Sequence, residues 1–298
     1  MLTLSFDEAW RTYLAAARSM PKPAPPVTPR AVSGIGELIE LFDLFVLDAY
    51  GVMNLGEEAI PPALPAFRAL RGAGKSVCIL TNDAAGDKEL IATGHRRRGF
   101  EVAAADMIAG MDLLPETLAR FPHTGNFGVI AGWTLPWPDL LGAMTLLDND
   151  ETAYDAVDGM VILDTVWTAE KRDILMRTLA RRPRPLIVCN PDVACPHGRE
   201  LSAEPGYFLH RIAEETGAAP IYLGKPHAGV YERVVARHPE VPRHRMLAVG
   251  DTPHTDVLGA RAAGMRALLV ESGFCHGQNT LGLCQDSGVW PDFVAPHL

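Results

Sequence analysis

Four short apolar runs in this 298-residue chain end in residues that can do chemistry. "FVL" runs into Asp48, "SVCIL" into Thr81 and Asn82, and "IYLG" into Lys225. "MLAVG" runs into Asp251, and Asp256 follows within "VGDTPHTD". A carboxylate attacks phosphorus once the repulsion between two anions is removed. Mg²⁺ removes it by bridging the carboxylate and the phosphoryl oxygens, and it prefers an octahedral shell of oxygens. Asp48 and Asp251 have the right chemistry for acidic ligands of that cation, and Lys225 for neutralising the transferring group. The Thr81 hydroxyl suits a phosphoryl oxygen, helped by backbone N–H groups of the loops around Gly51 and Asn82.

Groups this far apart in sequence need a frame that brings them together. From residue 35 onward, short runs rich in Val, Ile and Leu alternate with helical segments. That pattern predicts an α/β fold with a parallel sheet covered on both faces. Ligands of open parallel sheets bind beyond the carboxyl ends of the strands, where these residues fall. Residues 1–20 predict a helix, which the prolines of "PKPAPPVTPR" end. Residues 1–40 therefore read as an N-terminal extension ahead of the main fold. "RGAGKS" (71–76) has Ala69 where a phosphate-binding loop needs its first Gly, and it runs from helix to strand. It reads as a helix C-cap.

A net charge of −9 argues against a broad basic surface for nucleic acid or an anionic membrane. The N-terminus lacks a signal-peptide pattern, and no run of about 18 apolar residues occurs. The expectation is a cytoplasmic protein whose partner is a small phosphorylated metabolite. The five Cys show no C-x-x-C spacing and read as small core residues in a reducing compartment.

"LDAYGV", "LTND", "GKP" and "VGDTPHTD" resemble, in order, the four motifs of the haloacid dehalogenase-like (HAD) hydrolases. "CNPDVACP" followed by "PGYFLHRIAEETGAAPIYLGKPHAGVYE" is similar to the class IIA branch, which includes NagD-like, pyridoxal phosphate and phosphoglycolate phosphatases. The resemblance covers roughly residues 43–294. It implies a Rossmann-like parallel-sheet core (41–86 and 200–298) with an inserted α/β cap of the C2 type (87–199). It implies Mg²⁺-dependent hydrolysis of phosphate monoesters, with Asp48 as the nucleophile that becomes an aspartyl-phosphate. Thr81 then binds phosphate, Lys225 stabilises charge, and Asp251 and Asp256 serve the metal. The metal also takes the backbone carbonyl at Tyr50. Asn190 and Asp192 face the cleft, and caps of this class pair into homodimers. The basic "HRRRG" (95–99) reads as the solvated end of a cap helix. Trp133 and Trp137 read as cap-loop packing.

Tyr50 departs from the pattern. Phosphatases of this family carry Asp-x-Asp, whose second Asp is the general acid and base. Tyrosine, with a reference pKa of about 10, donates a proton but is a poor base near neutrality. Asp83, His254 and Tyr50 itself are the nearby candidates for proton transfer. Besides hydrolysis, a weakened phosphometabolite-binding protein and a phosphotransferase remain open.

Overall fold

The computed structural model describes residues 2–121, 125–132, 144–163 and 167–298, so Trp133 and Trp137 lie outside the described residues. Two parallel sheets organise the chain. The larger has seven strands in the order Arg30–Ala31, Phe293–Ala295, Arg266–Val270, Met246–Gly250, Leu44–Leu47, Ser76–Thr81, Met107–Ala109. The smaller has five, in the order Ile221–Tyr222, Leu186–Val188, Gly159–Ile162, Phe127–Ile130, Thr145–Leu146. Every pairing in both sheets is parallel. The continuous apolar runs follow from this: Leu44–Leu47 is buried at every position because helices cover both faces.

The expected alternation of strands and helices after residue 35 is present, and the runs that end in Asp48, Thr81 and Asp251 are strands of the larger sheet. The helix Ala63–Gly72 buries Phe67 and Leu70 and gives way through Gly74, at φ +69°, to the strand Ser76–Thr81. That confirms "RGAGKS" as a helix end. Asp87 caps the helix Lys88–Arg97 by accepting from Leu90 N at 2.8 Å. Pro205 opens the helix Pro205–Thr216 and Gly217, at φ +69°, closes it.

Sheet membership moves the expected boundaries. The helix Lys88–Arg97 and the strand Met107–Ala109 extend the larger sheet beside Ser76–Thr81, so the range 87–199 begins too early for the cap. A β-α-β step continues the core before the chain leaves it. "HRRRG" therefore ends a core helix, and His95 is buried. Conversely, the helix Pro205–Thr216 packs Leu209 and Ile212 against Leu175 and Leu179, and Ile221–Tyr222 joins the smaller sheet. The smaller unit thus runs past residue 200.

The first 40 residues are built into the fold. Arg30–Ala31 forms the edge strand of the larger sheet. Thr3–Leu4 pairs antiparallel with Glu200–Ala203, which forms a hairpin with Ala194–His197. The helix Phe6–Ala16 buries Ala9, Trp10, Tyr13 and Ala16, a stripe at helical spacing. None of the described helices is long and apolar enough to cross a membrane.

Candidate active site

The carboxyl edge of the larger sheet brings the sequence-distant residues together. Leu47 pairs with Val249 on one side and Ile79 on the other. Asp48, Asp251 and Thr81 are therefore delivered by three adjacent strands within two residues of that register. They line a cleft of about 310 Å³ together with Tyr50, Asn82, Asn190 and Asp192.

Carboxylate oxygens of Asp48, Asp251 and Asp256 lie within 4.8 Å of one another. Lys225, 2% exposed, sits among them: Nζ donates to Asp48 Oδ1 at 2.6 Å and to Asp256 Oδ1 at 2.7 Å. Burial works against the ammonium, yet Asp256 and Asp48 outweigh it and raise its pKa well above the usual lysine value. Ionised together, the three carboxylates would carry three negative charges against that one ammonium, which bonds two of them. Burial first, then Asp256 and Asp48, drives the Asp251 carboxyl well above its ordinary range. Burial also lifts Asp48 to about 7, against the pull of Lys225. Such an over-charged, all-oxygen pocket fits a divalent cation, which would relieve the repulsion.

The pocket is shaped for Asp251. Phe274 N donates to its Oδ2 at 2.6 Å and the Thr252 hydroxyl donates to its Oδ1 at 2.9 Å. Gly51, at φ +81°, passes so close that a Cβ there would fall 1.8 Å from Asp251 Oδ2. Gly51→Ala is expected to displace Asp251 and weaken divalent-cation binding at least about 10-fold, as measured by calorimetric titration. Unchanged affinity would show that Asp251 is not a ligand.

Two expected phosphate contacts have other duties. Gly51 N donates to Asn54 O at 2.8 Å, so that N–H is already spent on its own turn. Asn82 is a clamp: its Nδ2 donates to Asp192 Oδ1 at 2.8 Å and to Lys225 O at 3.1 Å, while its Oδ1 accepts from Lys225 N at 2.7 Å. One buried amide thus fixes three loops around the nucleophile. Thr81 is less committed. Its Oγ1 accepts from Asp83 N at 3.1 Å, which leaves the hydroxyl hydrogen to donate toward the cleft.

Asp192 is held by Asn82, and Asn190 Oδ1 accepts from Asp192 N at 3.0 Å. Burial pushes the Asp192 carboxyl up to about 8. In its protonated form it can donate to an anion instead of repelling it.

The proton-transfer candidates separate. Tyr50 and Asp83 line the cleft, whereas His254 does not. His254 lies behind it, stacked on Tyr13 with centroids 5.1 Å apart and edge-on to Trp10 at 4.8 Å. Burial pushes its imidazole down to about 4, so it is a neutral packing element. Burial raises the Tyr50 phenol far above its usual value, followed by the effect of Asp83, so it stays protonated. Its ring faces that of His197 at 5.6 Å.

Sequence reasoning missed the hairpin Ala194–His197/Glu200–Ala203, which brings Cys195, His197 and Glu204 into the cleft. The five Cys were expected in the core. Four are buried there, but Cys195 is only partly buried and lines the cleft.

Known proteins agree with this architecture. A family described as haloacid dehalogenase-like hydrolase matches residues 45–135, and a HAD-hydrolase-like family matches residues 222–298. The 4-nitrophenylphosphatase of Schizosaccharomyces pombe is 23% identical over 88% of this chain and 94% of its own length. A "possible sugar phosphatase" of the HAD superfamily from Cytophaga hutchinsonii superposes with a TM-score of 0.76 at 22% identity, over 91% of this chain and 98% of that one. The glycerol phosphate phosphatase of Mycobacterium tuberculosis, solved with magnesium, superposes with a TM-score of 0.62 at 21% identity, over 79% of this chain and 69% of that one. The same protein has also been solved with calcium. The two matched segments lie at either end of the larger sheet's run of strands, and the chain belongs to the haloacid dehalogenase-like hydrolases.

Proposed function

We propose that this protein hydrolyses the phosphate monoester of a small metabolite, with Asp48 as nucleophile and Mg²⁺ as cofactor. The observation that carries this reading is the pocket in which Asp48, Asp251 and Asp256 converge around Lys225 beside an open cleft. The names of the relatives, a 4-nitrophenylphosphatase, a possible sugar phosphatase and a glycerol phosphate phosphatase, agree with it.

The chain's own groups divide the work. Asp48 Oδ1 is held by Ala49 N at 2.7 Å and by Lys225 Nζ. Among the described residues no hydrogen bond reaches Oδ2, so that oxygen is the one to attack phosphorus. Lys225 neutralises charge on nucleophile and phosphoryl group. Thr81 and protonated Asp192 donate to phosphoryl oxygens. When bound at Asp48, Asp251 and Asp256, Mg²⁺ supplies the charge neutralisation that lets two anions approach.

A panel of phosphorylated metabolites plus an activated aryl phosphate, assayed with and without Mg²⁺, tests the reading. Binding without turnover of any member would instead make the protein a phosphometabolite-binding module. Tyr50 is the observation that keeps that second reading in play.

Two further outcomes are expected. As pH rises through about 8, Asp192 loses its proton and turns from donor to repelling anion, so kcat/KM falls on the alkaline side. Asp192→Asn keeps the donor and flattens that limb. Asp192→Ala loses a hydrogen bond to a charged group and costs roughly 10–100-fold. An alkaline limb that persists unchanged in Asp192→Asn would assign it to another group. Separately, Tyr50→Asp restores an acid and base beside the nucleophile. Turnover of unactivated alkyl phosphates should rise about 100-fold or more, with little change for an activated aryl phosphate, whose leaving group needs no proton. Equal effects on both substrates would mean that Tyr50 acts through space, not through proton transfer.

A further inference from the structure

The cleft contains a second set of ligand-type side chains that the hydrolytic pocket does not use. Cys195, His197 and Glu204 offer a thiol, an imidazole and a carboxylate whose ligand atoms all lie within 4.8 Å of one another. Their convergence follows from the hairpin. In a strand, residues two apart share a face, and paired residues across an antiparallel ladder share it too. Cys195 and His197 are two apart, Cys195 is paired with Ser202, and Glu204 is two beyond Ser202. The ladder continues to Glu204, whose N donates to Val193 O at 3.0 Å. One face therefore carries all three ligand types.

The carboxylate is poorly satisfied for its burial. Ser202 Oγ donates to Glu204 Oε1 at 2.5 Å, and Asn190 Nδ2 reaches Oε2 at 3.4 Å. Among the described residues no Lys or Arg forms an ion pair with it. A structural carboxylate beside a thiol and an imidazole brings three polar groups together with little hydrogen bonding among them. A cation would satisfy all three, and the Ser202 hydroxyl would then orient the carboxylate as an outer-shell group.

We propose that Cys195, His197 and Glu204 form a second metal site, selective for a borderline-soft divalent cation of the zinc class. Sulfur and nitrogen donors discriminate against Mg²⁺, which favours the all-oxygen pocket at Asp48. Three protein ligands leave a fourth tetrahedral position open. Because the three side chains line the same cleft as Asp48, that position suits an oxygen or nitrogen donor on the substrate, remote from the phosphate. This last clause rests on the hydrolase reading, whereas the metal site itself does not.

The test reads binding by absorption, so it is independent of turnover. The full chain is stripped with chelator and titrated with Co²⁺ in excess Mg²⁺. The expected result is a sulfur-to-cobalt charge-transfer band that saturates at one equivalent and is bleached by Zn²⁺. Cys195→Ser abolishes the band. Glu204→Gln and His197→Ala keep the thiol but weaken affinity by more than the roughly 10–100-fold of an outer-shell change. Those two variants also keep the proposal testable if Cys195→Ser fails to fold. No band at stoichiometric excess, a band that survives Cys195→Ser, or affinity unmoved in both Glu204→Gln and His197→Ala overturns the site. Loss of the site with phosphatase activity intact would leave the Asp48 reading standing, and the reverse would leave the metal site standing.

Discussion

Asp48→Asn is expected to lower turnover by at least about 10⁴-fold, the scale on which removal of an attacking group acts. The substitution preserves shape and keeps an oxygen for Ala49 N and Lys225 Nζ, which hold Oδ1 at 2.7 and 2.6 Å. What it removes is the second charged oxygen. An amide oxygen is a far weaker nucleophile toward phosphorus, and no neighbouring group can replace it in line. Asp251 is tied at both oxygens by Phe274 N and the Thr252 hydroxyl. Asp256 is engaged by Lys225 Nζ and by Thr252 N at 3.2 Å. Stopped-flow assay with an activated aryl phosphate gives the rate. Acid-quenched mass spectrometry shows whether a phosphoryl adduct on the Asp48 peptide disappears with it. Substantial turnover in the variant, or an adduct on another carboxylate, would falsify the assignment of the nucleophile.

The residues that converge in the candidate pocket were legible because most of them close an apolar run. "FVLD", "SVCILTN" and "MLAVGD" carry strand and chemistry in one stretch, and parallel topology sends such ends to a common edge. Asp256 was legible by spacing, and the structure shows why the loop is so compact. A Cβ at Gly250 would fall 2.0 Å from Asp256 Cγ, so the chain folds back on its own strand end. The hairpin was not legible. Its strands are four residues each, interrupted by Pro196 and turning at Gly198, and they lack apolar alternation. A reading attentive to polar alternation would have noticed Cys195 and His197 two apart. His254 was misread for a different reason. Its position in the last motif loop is local, whereas its neighbours Trp10 and Tyr13 lie some 240 residues upstream. Sequence proximity suggested the cleft, and tertiary packing decided otherwise. The same long-range contact explains why residues 1–40 looked like an appendage. Tyr13 accepts from Val193 N at 3.2 Å and Thr3–Leu4 extends the cleft hairpin, but neither partner is visible from a short apolar helix alone.

Lys225→Met is expected to destabilise the metal-free protein by about 3–5 kcal/mol, because it leaves Asp48 and Asp256 buried without their partner. For a protein of this size that is a fall in Tm of roughly 6–20 °C. The variant isolates the ammonium: the Lys225 backbone N still donates to Asn82 Oδ1, so the loop anchor remains. Two dependences distinguish electrostatics from lost packing. Without the ammonium, the Asp48 carboxyl, already raised by burial, rises further above its unfolded value. Stability is then retained below the unfolded carboxylate range and lost as pH climbs through the raised value, so the deficit shrinks toward acid. Mg²⁺ opposes the same repulsion, and binding to the folded state contributes about 2.7 kcal/mol at a hundredfold excess over Kd. Thermal melts of both proteins at two pH values, with and without Mg²⁺, should therefore show the variant gaining more from acid and from metal than the parent does. A fall in Tm indifferent to both would place Lys225 in packing alone. The three carboxylates would then have to be held together by something other than charge balance.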